Sequence, residues 1–204
     1  APFTEHGPRP FGVTVTELRR LARGLRPDHE LAAALWTSGV HEARILASLV
    51  DDPDLVTEAQ MDAWVSALDS WDVCDAVCGN LFDRTPLALD KAVEWVGREP
   101  EFERRAGLAL MALASVHRKD LPDRAFASLL PTIREASTDD RTYVKKAVSW
   151  ALRQIGKRSP GLNAKAIRTA EQIGRIDARA SRWVARDALR ELRSDAVQER
   201  LARR

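Results

Sequence analysis

Residues 140–156 read DRTYVKKAVSWALRQIG, and the apolar side chains of this stretch are Val144, Ala147, Val148, Ala151, Leu152 and Ile155. Spacings of three and four residues place all six on one stripe of an α-helix, turned toward a core. The alternation that a half-buried strand would require is absent. Trp150 falls off the stripe, with Lys146, Arg153 and Gln154 three and four residues away and Lys157 a turn beyond. An aromatic ring therefore sits inside a cationic band, where cations can hold phosphates while the ring packs on a sugar or base. The alternative is that Trp150 serves as a lid over the neighbouring helix pair.

The same period extends in both directions. Downstream, helices are predicted at about 161–173, 177–191 and 194–203; upstream, at about 101–117 and 122–136, with links of a few residues. Farther upstream, Thr16-Glu17-Leu18-Arg19-Arg20-Leu21 opens a helix that ends near Gly24, and Asp28 caps the next. One follows from His41 to Val50, Thr57 caps another, a fifth begins near Asp72, and Pro86 precedes one that closes through Trp95 toward Gly97. Short links force antiparallel neighbours, and pairs of roughly 35 to 45 residues are the signature of an α-solenoid. The expected architecture is thus all-α: one domain over 1–204 built of stacked antiparallel helix pairs. A globular bundle is the competing arrangement.

Charge is divided unevenly along the 204 residues: the formal net charge is +2, but residues 141–204 hold 17 Lys/Arg against 6 Asp/Glu. Such an end is the footprint of a chain that lies on a polyanion, or else a solvated helix face. No apolar run approaches the roughly 20 residues of a membrane span, so a cytoplasmic protein without membrane contact is expected. Cys74 and Cys78 are one helical turn apart and cannot bridge distant elements. His6, His29, His41 and His117 supply no spaced pair to complete a metal set with them, so no metal is expected.

Two further segments break the helical pattern. In Ser70-Trp71-Asp72-Val73-Cys74-Asp75, Trp71 and Asp75 share a face one turn apart, and Cys78 and Gly79 on the next turn leave room beside the carboxylate. Asp75 could equally be a local helix-start carboxylate. Arg104 and Arg105 open a helix that continues Ala106-Gly107-Leu108-Ala109-Leu110-Met111-Ala112-Leu113, apolar nearly all round. Cations at the entrance of a buried helix need a partner, either a carboxylate from a neighbouring pair or an external anion.

Ser70–Asp75, Glu103-Arg104-Arg105-Ala106 and Val144–Arg153, with Phe11-Gly12-Val13 and Leu35-Trp36 upstream, resemble the AlkD-type DNA alkylation repair glycosylases in order and spacing. The resemblance implies HEAT-like repeats with a concave basic groove, and hydrolysis of the N-glycosidic bond of N3- and N7-alkylated purines in duplex DNA without metal or nucleotide cofactor. It places the catalytic carboxylate on Asp75, the groove tryptophans on Trp71 and Trp150, and a DNA-contacting arginine on Arg105. Arg104, Lys146, Arg153 and Lys157 complete the expected DNA-binding set. It further implies that the enzyme can act with the lesion still stacked; a single concave face that grips a duplex requires no partner, so a monomer is expected. Family members carry another helical segment at the N-terminus, so the part beginning Ala1-Pro2-Phe3-Thr4 is expected to be incomplete. Two rival readings are a DNA-structure-binding module without chemistry and a protein-interaction scaffold; the latter would favour an exposed apolar patch over an Arg/Lys face.

Overall fold

The computed structural model describes residues 11–25 and 27–203; His6 lies outside them. Thirteen α-helices among these residues alternate between two rows. The front row holds α1 (Val15–Arg23), α3 (His41–Val50), α5 (Trp71–Asn80), α7 (Glu101–His117), α10 (Thr142–Gly156) and α12 (Arg179–Leu192), each packed against the next. The back row holds α2 (His29–Thr37), α4 (Glu58–Ser66), α6 (Ala88–Val96), α8 (Asp123–Ala127), α9 (Leu130–Glu135), α11 (Pro160–Gly174) and α13 (Asp195–Ala202). Neighbours across the rows, such as α2 with α3, α6 with α7 and α11 with α12, bury their apolar stripes against each other. No strand occurs among the described residues.

Helix boundaries follow local chemistry. Asp28, Thr57 and Ser159 cap α2, α4 and α11 by accepting backbone N–H groups of Leu31, Gln60 and Leu162. Gly39 takes φ +70°, the left-handed turn that reverses the chain between α2 and α3. Two boundaries differ from the sequence expectation. The first helix starts at Val15 rather than Thr16, because Thr14 and Glu17 form a reciprocal capping box: the Thr14 hydroxyl accepts from the Glu17 N–H, and the Glu17 carboxylate accepts from the Thr14 N–H at 2.9 Å. The single helix expected over 122–136 is two helices, α8 and α9. Pro131 has no N–H to give to the carbonyl of Ala127, so the helix breaks at Ser128 and restarts with Pro131 in its first turn.

The back row is held by an aromatic ladder. The Trp36 ring of α2 stacks on Trp64 of α4, with centroids 4.2 Å apart and planes 1° from parallel. Trp64 meets Phe82 at 6.0 Å, and Phe82 meets Trp95 of α6 at 5.9 Å. Asp62 of α4 secures the outer edge of this ladder by accepting from Lys91, the Trp95 indole and Arg98 at 2.7, 2.8 and 2.7 Å. Burial pushes the Asp62 carboxyl up, but these donors together hold it below the ordinary value. Glu58, Asp62 and Glu94 form a carboxylate cluster whose centre is filled by the Lys91 ammonium, which pairs with all three.

In α10 all six predicted core positions, Val144 to Ile155, are buried. The α7 helix has almost no solvent face over Arg105–Ala112, because α5, α6 and α10 all pack on it. Its approach to α6 requires glycine at 107: a Cβ there would stand 2.6 Å from the Ala92 carbonyl oxygen and 2.8 Å from the Val96 nitrogen. Helix propensity alone favours Gly107→Ala by about 1 kcal/mol. The clash is with backbone and cannot be relieved by a rotamer change, so the substitution is expected to destabilise the protein by about 1–3 kcal/mol in urea unfolding. An unchanged or raised midpoint would show that α6 and α7 separate at little cost.

Candidate active site and nucleic-acid interface

Three consecutive front-row helices meet at one carboxylate. Asp75 lies one turn into α5, with its side chain 25% exposed. Both of its oxygens accept from Arg105 of α7: Nε to Oδ1 at 3.1 Å and Nη2 to Oδ2 at 2.8 Å. The guanidinium gives its third arm, Nη1, to the Tyr143 carbonyl at the start of α10 at 2.9 Å, and it lies 6.0 Å from the centroid of the Tyr143 ring. Arg105 is only 6% exposed. Burial pushes the Asp75 carboxyl above the ordinary aspartate value, Arg105 opposes that push through charge and hydrogen bonds, and nearby Asp72 adds to it.

Trp71, one turn before Asp75 on the same face of α5, is 45% exposed. Asp72 turns the other way, to a 2.9 Å contact with His41 Nε2 of α3. On α10, Trp150 is half-buried against the core with one side open, and Lys146 one turn earlier is exposed. Cys74 and Cys78 are buried and unbridged on the inward side of α5, each thiol donating to a carbonyl of α7.

The structure thus brings Trp71, Asp75 and Arg105 together and places Lys146 and Trp150 on the next helix of the row. Of the two partners open to the cations at the entrance of α7, the internal carboxylate is the one present. Arg105 takes Asp75, and Arg104 takes Asp139 at 3.0 Å and the Arg98 carbonyl at 3.0 Å. Arg105 thus commits Nε and one N–H of each terminal nitrogen to partners inside the protein and is almost fully buried. Arg153 and Lys157 both pair with Glu191 of α12, and Arg153 also reaches Asp187 at 3.6 Å. Among the described residues, Lys146 is the one member of the expected DNA-binding set without a carboxylate partner.

A cationic surface that sequence reasoning passed over lies on α12. Its buried stripe of Ala180, Val184, Ala185, Ala188 and Leu192 turns Arg179, Arg182, Arg186 and Arg190 to solvent. The signal was in the sequence: Arg182, Arg186 and Arg190 recur every four residues within the basic third. A helical rise of about 1.5 Å per residue spaces such side chains by roughly 6 Å. Arg182 and Arg190 pair with Asp177 and Asp187 at 2.7 and 2.6 Å, whereas Arg179 and Arg186 have no carboxylate partner among the described residues.

Known proteins share this framework. A solved structure described as "a new family of proteins related to the HEAT-like repeat DNA glycosylases with affinity for branched DNA structures" superposes with a TM-score of 0.73, covering 89% of this chain and 83% of its own at 21% identity. The stacked helix pairs are therefore HEAT-like repeats. Uncharacterized protein Lin0241 of Listeria innocua is 23% identical over 169 residues, 81% of this chain and 73% of the relative; Lmo0209 of Listeria monocytogenes is 21% identical over the same extents. The profile of the family described as "DNA alkylation repair enzyme" matches residues 2–192, and the chain belongs to that family.

Proposed function

We propose that the protein is a DNA glycosylase that hydrolyses the N-glycosidic bond of cationic N3- and N7-alkylated purines in duplex DNA, as one HEAT-like domain. The observation that carries this reading is a partly buried carboxylate, Asp75, held by a bidentate arginine while its side chain stays 25% exposed, one helical turn from an exposed tryptophan. Alkylation makes the purine a good leaving group: the C1′–N9 bond breaks, its electron pair neutralises the departing base, and positive charge develops on the sugar. A carboxylate stabilises that charge and can orient the water that attacks C1′. Arg105 occupies two of roughly four acceptor sites on a carboxylate, which leaves the others for water or sugar. Trp71 and Trp150 would pack on the deoxyribose, while Lys146 and the exposed arginines of α12 would hold flanking phosphates.

Arg105 acts in this scheme as a positioning residue. It opposes the upward push of burial, so that Asp75 is ionised when needed, and its planar fork fixes both oxygens. A buried ion pair is a weak stabiliser compared with apolar packing, so one built on a carboxylate that is still partly exposed supports a functional reading. A second reading, a DNA-structure-binding protein without chemistry, is favoured by the same bidentate pair if it serves only to tie α5 to α7. The branched-DNA affinity stated for the structural neighbour accords with it.

Release of N3-methyladenine and N7-methylguanine from methylated duplex DNA separates the two. Asp75→Asn is expected to bind the duplex within a few-fold of wild type and to lose about 100-fold or more in release rate; a wild type that binds without releasing base would establish the second reading. The pH profile tests Arg105. Release requires ionised Asp75, whose value is raised, so activity should fall on acidification at a higher pH than an ordinary aspartate would impose. Arg105→Lys weakens the opposing influence and should move that acid limb to still higher pH. An unmoved limb in a folded variant would remove Arg105 from this role.

A further inference from the structure

The break between α8 and α9 has a geometric consequence on the back row. It leaves a cavity of about 260 Å³ between α9 and α11, in the layer opposite Asp75. Ala127, the last residue of α8, and Leu130 and Pro131 at the start of α9 supply an apolar wall. Around it stand three cations: Arg134 one turn along α9, and Lys165 and Arg168 on α11. Among the described residues none of the three has a carboxylate partner, although Arg104, Arg105, Arg153 and Arg158 elsewhere all do. On α11, Thr169 and Gln172 continue the stripe of Lys165 and Arg168 at spacings of three and four, so one helix face supplies both the charge and an amide.

Three cations facing one concavity repel each other, and an anion seated among them relieves that cost. The apolar wall and the Gln172 amide fit a flat heterocycle with a hydrogen-bonding edge attached to that anion. At about 260 Å³ the concavity lies just below the usual range of small-ligand pockets, roughly 300–1,000 Å³, and its size matches one nucleotide better than a longer stretch of strand. A base can enter only if it is unstacked, which single strands permit.

We propose that this cavity is a second nucleic-acid site, holding one phosphorylated nucleotide of a single strand while duplex lies on the front row. Arg134, Lys165 and Arg168 bind the phosphate, Leu130 and Pro131 pack on the base, and Gln172 meets its edge. The assignment does not rest on chemistry at Asp75. A DNA carrying a single-stranded arm would engage both layers of the molecule at once.

The test compares a fluorescent duplex with the same duplex bearing an eight-nucleotide oligothymidylate flap. Wild type should bind the flapped DNA more tightly. Arg134→Glu/Arg168→Glu, which alters exposed side chains and should keep the wild-type circular dichroism, should lose about tenfold or more on flapped DNA. Its duplex affinity should change less than about twofold. Asp75→Asn should keep the flap preference, so a failure of the glycosylase reading leaves this result standing. Thymidine 5′-monophosphate should displace the flap, and thymidine and inorganic phosphate should do so far less well. Equal losses on duplex and flapped DNA, an unaltered flap affinity in the double variant, or displacement by inorganic phosphate as strong as by the nucleotide would each overturn the proposal. So would binding of the free nucleotide without any preference for the flap.

Discussion

A guanidinium cannot remain charged inside a protein without anions or carbonyls to replace the water it loses, and Arg105 sits in the fully buried stretch Arg105–Ala112 of α7. Its needs are met from both sides: the Asp75 carboxylate of α5 and the Tyr143 carbonyl of α10. One cation thereby joins three successive front-row helices in a single register. Gly107, two residues later, lets α6 come close enough to seal the other side of α7. The arrangement has little slack, because moving any of these helices leaves a buried charge unpaired or drives backbone into backbone.

That enclosure also sets the character of Asp75. Burial disfavours its charge and Arg105 favours it, so the carboxylate is held in fixed geometry with little water of its own. Such a group interacts more strongly with a neighbouring cation than a solvated carboxylate does. The rest of the front row supports it with exposed features: Trp71 one turn away, Lys146 and Trp150 on α10, and the arginines of α12. In the back row, the aromatic ladder from Trp36 to Trp95 and the donors around Asp62 bind α2, α4 and α6 together.

The two rows differ in continuity. The front row runs without interruption, whereas the back row is broken at Pro131, and the cavity lined by Arg134, Lys165 and Arg168 opens beside that break.

Helical periodicity is local, and everything that depends on it was legible in the sequence: the stripe from Val144 to Ile155, the caps at Asp28 and Thr57, and the shared face of Trp71 and Asp75. The break at Pro131 had a local cause too, but the apolar period ran through it and masked it. The partners of the charges could not be read in this way. Arg105 meets Asp75 across 30 residues, Lys157 meets Glu191 across 34 and Arg153 meets Glu191 across 38. From the sequence, Arg105 had two possible partners, and Arg153 and Lys157 looked as free as Lys146. Spacing along one helix says which side chains share a face, but only the stacking of helices decides which carboxylate stands opposite. The sequence therefore determined the helices, their buried faces and the sign of the basic end, while tertiary packing decided which cations are neutralised inside the protein and which are left to meet an external anion.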